Sequence, residues 1–96
     1  MAKYELEIFK GEKVEKTYTA NCCPWGLYVE AVDIQDTLSK MTGKEIVKSL
    51  ESIMLKLFDG LTSEEMQRAD GAAVMQLFLQ IVQGNAGKSS NAIKNA

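Results

Sequence analysis

The chain changes its hydrophobic period at its only proline, Pro24, and this change constrains the fold more than any other feature. Before Pro24, apolar residues alternate with polar ones, which is the pattern of a strand with one buried face. After it, apolar residues recur every three or four positions, as on one side of a helix. Because proline is favoured at the first position of a helix, the segment NCCPWG (residues 21–26) predicts a joint between a strand and a helix.

The first 19 residues predict a β-hairpin. The apolar positions expected on its buried face are Tyr4, Leu6 and Ile8 in the first strand and Val14 and Tyr18 in the second. Gly11 lies between the two strands and supplies the turn. An isolated hairpin is marginal in water, so this one is expected to pack its apolar face onto the rest of the chain.

The first predicted helix begins after Pro24. Its apolar stripe consists of Leu27, Ala31, Ile34, Leu38 and Met41. Trp25, at the start of the helix, is expected to anchor it against the hairpin.

Two capping boxes predict where the next helices begin. Thr42 with Glu45, and Thr62 with Glu65, have the spacing at which each residue's side chain bonds the backbone N–H of the other. The apolar stripe of the second helix is Ile46, Leu50, Ile53, Met54 and Leu57.

Glycine and aspartate mark the remaining boundaries. Gly60 ends the second helix, and Leu61 is expected to fold back on its last turn as in a Schellman motif. Asp70 and Gly71 either interrupt a short third helix or cap a fourth. The segment AAVMQLFLQIVQ is the most apolar helix of the chain, and Gly84 closes it.

These elements predict an α+β fold that is mostly α, with an N-terminal β-hairpin followed by three to four helices. A chain of 96 residues is long enough for one modest core. The predicted domain spans residues 1–84. Residues 85–96 are small, polar and weakly cationic, which predicts a flexible C-terminal tail.

Composition excludes several functions. A net charge of −2 argues against nucleic acid as a partner. The N-terminus has no apolar signal core, and no apolar run reaches the roughly 20 residues of a membrane span, which predicts a cytoplasmic protein without a membrane partner. The chain has no histidine, so Cys22 and Cys23 lack companions for a zinc site or a nucleophile pair. They are interpreted as packing thiols, and no cofactor and no enzymatic activity are predicted; an enzyme would need carboxylates converging in a cleft.

The last helix has more apolar surface than one core needs. One stripe consists of Val74, Leu77, Phe78 and Ile81, and a second consists of Met75, Leu79 and Val82. Two explanations stay open for the second stripe. Either a partner or another copy of the chain covers it, or it is buried between the hairpin and the other helices.

The order of these parts resembles the tail assembly chaperones of long-tailed bacteriophages, as found in phages and prophages of Gram-positive hosts. The motifs that match are the corner LFDGLTSEE, with Phe58, Leu61, Thr62, Glu64 and Glu65, the Gly84–Asn85 pair after the last helix, and the Pro24 step from strand to helix. The chain departs from the family in its paired cysteines and in lacking a more aromatic step before the first helix.

The resemblance implies a non-enzymatic viral protein that binds the tape measure protein and keeps it soluble while tail tube subunits polymerise. Its partner surface would be Met75, Leu79 and Val82. The tail tube protein and further copies of the chain are additional expected partners. The chaperone would act in the host cytoplasm and be absent from the mature virion, and ribosomal slippage near Lys88 would add a second domain to some copies. The alternative is a small regulatory or adaptor domain that dimerises through the last helix.

Overall fold

An antiparallel hairpin begins the fold, and helices cover one of its two faces. The computed structural model describes residues 3–83. Its elements are β1 (Tyr4–Lys10), β2 (Lys13–Ala20), α1 (Trp25–Thr37), a 3-10 turn (Leu38–Lys40), α2 (Gly43–Leu57), α3 (Ser63–Met66) and α4 (Gly71–Val82). The predicted fold class is confirmed, with a fourth helix. The predicted helix stop at Gly84 and the tail at residues 85–96 lie outside the described residues.

The core lies between the inner face of the hairpin and the helices. Its buried side chains are Tyr4, Leu6, Ile8, Tyr18, Leu27, Ala31, Leu50, Ile53, Met54, Leu57, Phe58, Leu61, Val74, Leu77, Phe78 and Ile81. Helix α4 contacts α1, α2 and β1, so it is the central helix of the fold. Its Gln80 side chain donates a hydrogen bond of 3.0 Å to the carbonyl of Lys3, which ties α4 to the start of the hairpin.

A β-bulge overturns one prediction about the hairpin. Ile8 pairs with Lys16, but the next residue, Phe9, pairs with Val14, so Glu15 is an extra residue in β2. Side chains of a strand alternate between the two faces of a sheet. One extra residue therefore places the β2 residues that precede it on the face opposite to the one that strict alternation predicts. Val14 is therefore 46% exposed on the outer face, and its predicted place beside Tyr18 is wrong.

The predicted anchoring role of Trp25 is also wrong, because its side chain is 75% exposed. Pro24 is the N-cap of α1 and Trp25 is its first residue. Leu27 follows two residues later, which is about 200° around the helix. Since Leu27 and Ala31 face the core, Trp25 must face away from it.

Helix ends follow local hydrogen bonding. Both predicted capping boxes are present, and the Asp70 carboxylate caps α4 by accepting the N–H of Ala73 at 3.0 Å.

The Schellman motif predicted at the end of α2 is wrong. Phe58 already leaves the helical conformation, and Gly60, with φ 88°, is the third residue of a turn closed by a 3.2 Å bond from the N–H of Leu61 to the carbonyl of Phe58.

The hairpin is held against the corner between α2 and α3 by Tyr18. Its hydroxyl donates to Glu65 at 2.5 Å and lies 3.2 Å from the carbonyl of Gly60. The ammonium of Lys16 lies 3.6 Å from the Glu65 carboxylate and 4.6 Å from the centre of the Tyr18 ring. The hydrogen bond from Tyr18, followed by those from Thr62 and the charge of Lys16, lowers the pKa of Glu65.

Arg68 makes a second attachment between the same two parts of the chain. Its carbonyl accepts the N–H of Phe9 at 3.0 Å, and its guanidinium pairs with Glu15 and, at 3.1 Å, with Glu64. These two carboxylates raise the pKa of Arg68. The bulge therefore has a structural consequence, because its extra residue, Glu15, supplies a partner for Arg68.

Replacing Tyr18 with phenylalanine tests the first attachment. The variant keeps the buried ring but loses the hydroxyl, so the free energy of unfolding is expected to fall by about 1 kcal/mol at pH 7. Tyr28→Phe is the matched control, because the Tyr28 side chain makes a ring contact with Trp25 and removing its hydroxyl leaves that contact in place. Denaturant unfolding of the three proteins gives the comparison.

The difference in the free energy of unfolding between wild type and Tyr18→Phe is also expected to depend on pH. The pKa of Glu65 is lowered in the folded protein, so its contribution is present above the ordinary carboxyl range, about pH 4, and is lost as the pH falls through the folded pKa. The stability gap should therefore be largest near neutral pH and should narrow in acid. A stability difference that stays constant between pH 7 and pH 3 would mean that the charge of Glu65 does not strengthen its bond with Tyr18.

Candidate partner-binding surface

The two apolar stripes predicted on α4 differ in burial. Val74, Leu77, Phe78 and Ile81 are buried, as predicted. Of the second stripe, Met75 is 39% exposed and Leu79 is 37% exposed. Val82 is half-buried and packs against the core. The structure therefore leaves two of the three predicted binding residues at the surface.

Met75 lines an open groove between α2 and α4 with a volume of about 400 Å³. The apolar residues of this groove are Ile46, Val47 and Leu50 from α2, Met66 from α3, Ala69, and Val74 and Met75 from α4. Glu51 and Gln67 also line it and supply polar groups. A mainly apolar groove between two helices is the kind of surface that accepts the apolar face of an amphipathic helix.

Val47 is the groove residue that sequence reasoning missed. It is 65% exposed, although it belongs to the well-formed amphipathic helix α2. Its sequence neighbours on the polar side of that helix are Lys44, Lys48 and Glu51. A single aliphatic residue on an otherwise charged helix face is the signal from which the exposure of Val47 could have been predicted.

A second apolar area lies at the start of α1. The rings of Trp25 and Tyr28 pack with centroids 5.3 Å apart, and both residues line a cavity of about 500 Å³. Tyr4, Ile81, Lys3 and the two cysteines complete the lining of this cavity. Val29, one turn after Trp25, is also exposed.

The cysteines are free thiols, Cys22 exposed and Cys23 half-buried. Cys23 packs against the core, which agrees with its interpretation as a packing residue, whereas Cys22 does not. Burial, and then the neighbouring Cys22, raises the pKa of the Cys23 thiol. A raised pKa keeps this thiol protonated at neutral pH, where it is a poor nucleophile.

Two carboxylate residues, Glu12 and Asp70, line a third, open cavity of about 510 Å³ beside Arg68. The Asp70 carboxylate accepts a hydrogen bond from the first turn of α4, and the Arg68 guanidinium is paired with Glu15 and Glu64. These bonds give Asp70 and Arg68 structural tasks in the fold.

Neither a metal-binding cluster nor a membrane-spanning helix is found among residues 3–83. No group of three or more cysteine, aspartate or glutamate side chains in that range is placed to hold a metal ion. None of the helices in the same range has the length and apolar character needed to cross a bilayer.

Compared with protein-family models, with curated proteins and with solved structures, the chain matches none. The likeness to tail assembly chaperones therefore depends on the short motifs of the sequence. Of these motifs, the corner residues Phe58 and Leu61 are buried, and Thr62 with Glu65 caps α3.

Replacing both Cys22 and Cys23 with serine is expected to leave the fold and partner binding intact. Neither thiol is bonded to the other, and Cys23 is only half-buried, so the stability loss should stay below about 1 kcal/mol. A thermal melt and a partner-binding assay of the double variant make the measurement. A folded variant that no longer functions would show that the thiols have a chemical role.

Proposed function

We propose that the protein is a tail assembly chaperone that binds the tape measure protein of a long-tailed phage or prophage and keeps it soluble in the host cytoplasm. The observation that carries this proposal is the apolar groove between α2 and α4, in which Met75 lies opposite the exposed side of α2. A tape measure protein of this kind is long, largely helical and rich in apolar residues. An open groove lined by aliphatic and methionine side chains fits such a partner.

The residues of the groove also favour a partner that is recognised by its apolar surface more than by a particular sequence. Met66 and Met75 are unbranched and flexible, so they can adapt to different apolar side chains. Leu79, one turn beyond Met75, continues the exposed apolar surface along α4. Binding of this kind would allow one small chaperone to cover several similar segments of a long chain.

The corner motif supports a shared architecture with the chaperone family more directly than a shared partner. Phe58 is completely buried, and Glu65 receives the hydroxyl of Tyr18. These residues attach the hairpin to the helices, and they do not line the groove. The binding activity is therefore supported by the groove, and the corner supports only the likeness in fold.

A regulatory or adaptor domain that dimerises through α4 is the second candidate. The exposure of Met75 and Leu79 favours it equally, because a second copy of the chain would cover the same side chains. Gene neighbourhood separates the two functions. A chaperone gene should lie between the genes for the tail tube and for a very long tape measure protein.

Changing Met75 and Leu79 together to glutamine tests the proposed surface. Full burial of such a side chain contributes roughly 1.5–3 kcal/mol, and somewhat more than a third of each is still exposed. Partner binding should therefore weaken by roughly 1–2 kcal/mol, or about five- to thirtyfold in Kd. The fold should survive on the buried face of α4.

The measurement is the solubility of the tape measure protein on co-expression, next to a thermal melt of the double variant alone. Gln76 is an exposed residue on the same helix, so Gln76→Ala is the control. It should change neither the solubility of the tape measure protein nor the melting temperature. A variant that melts normally and still keeps the partner soluble would exclude this surface. A variant that unfolds would place Met75 and Leu79 in the core.

The proposed longer form has its own test in the DNA. Lys88, where slippage is expected, lies outside the described residues. A slippery run at this codon together with an overlapping reading frame is the expected finding. A gene without either would remove the longer form from the proposal.

A further inference from the structure

The exposed side of α1 is apolar at its start and acidic at its end. Trp25, Val29, Asp33 and Asp36, which we call the α1 outer face, follow one another at spacings of four, four and three residues. Such spacings place side chains on one side of a helix. All four are exposed, and Leu27 and Ala31 bury the opposite side of the helix.

The apolar half of this face is costly to leave in water. Trp25 has the largest exposed fraction among the large apolar residues of the part of the chain that the structure describes. Its ring is steadied by contact with Tyr28. Tryptophan is enriched among the few residues that contribute most of the binding energy at protein interfaces.

The acidic half supplies charge that the fold does not use. Within residues 3–83, no ion pair involves Asp33 or Asp36, whereas the nearby Glu30 is bonded to Lys56 of α2 at 2.8 and 3.0 Å. The two aspartates therefore differ from Glu30, which ties α1 to α2. They are available to cations from outside the fold.

From this arrangement we infer that the α1 outer face binds an amphipathic helix with one apolar half and one basic half. Its aliphatic side chains contact Trp25 and Val29, and its lysines or arginines pair with Asp33 and Asp36. Trp25 and Asp36 are eleven residues apart, so the contact extends over about 16 Å, or three helical turns. This surface is distinct from the groove between α2 and α4, and the inference does not depend on the groove's partner.

Trp25 is the only tryptophan of the chain, so its fluorescence reports directly on this surface. The test uses a synthetic alanine-rich helical peptide without aromatic residues, in which leucines and lysines repeat the spacing of the α1 outer face. A second peptide has glutamate in place of each lysine. The basic peptide is expected to shift the Trp25 emission to shorter wavelength with a saturating curve, and to bind more tightly than the acidic peptide.

Charge variants then test the pairing. Asp33→Asn with Asp36→Asn should weaken binding of the basic peptide by roughly two- to thirtyfold at low salt, the range expected for two exposed ion pairs. Added salt should weaken wild-type binding and affect the double variant less. Asp59→Asn, an exposed charge at the corner after α2, is the matched control and should bind as wild type does. Far-UV circular dichroism checks that each variant is folded.

Several results would overturn the inference. They are equal binding of the basic and acidic peptides, unchanged binding by the folded Asp33→Asn, Asp36→Asn variant, and no saturating change in Trp25 emission. An emission shift that grows with protein concentration in the absence of peptide would show that a second copy of the chain covers Trp25. That result would also overturn it.

Discussion

The fold depends on the attachment of a two-stranded hairpin to the helices, chiefly at the corner between α2 and α3. A two-stranded sheet has one apolar face and cannot bury it alone. Here Leu6 and Ile8 are completely buried because helices cover that face. Tyr18 of the hairpin is hydrogen-bonded to the corner, and Arg68 beyond the corner is bonded to the backbone of β1 and paired with Glu15 of β2. Gln80 adds a third attachment, from α4 to the carbonyl of Lys3 at the start of the hairpin.

The features that the sequence predicts correctly are those that depend on neighbouring residues. The capping boxes at Thr42 and Thr62 each require only the next three residues, so their spacing identifies them. The bulge could not be predicted in this way. Glu15 is directed towards Arg68, a residue 53 positions away, and strand alternation contains no information about that contact. The wrong position of Val14 follows from this one unpredictable insertion.

The error over Trp25 has a different origin, because the necessary information was in the sequence. The stripe that begins at Leu27 determines the direction of every side chain on α1, and it directs Trp25 outward. The apolar ring of Trp25 favours burial, but its position around the helix decides its direction. The second stripe of α4 is the opposite case, because the fold partly covers apolar residues that the sequence pattern leaves exposed. That helix is central, with neighbours in α1, α2 and β1, so part of its apolar excess, including Val82, packs against the core.

The two exposed apolar surfaces differ in the selectivity that their side chains allow. Met66 and Met75 in the groove are unbranched and flexible, and surfaces of such side chains accept many apolar segments with little discrimination. Trp25 is a rigid ring packed on Tyr28, and the aspartates beyond it require charge at a set distance. On a partner held through the groove, a second surface with fixed charges would distinguish among the several apolar segments that the groove accepts. The α1 outer face has the chemistry for such selection, because a basic residue out of register loses its ion pair while an apolar one in the groove does not lose its contact.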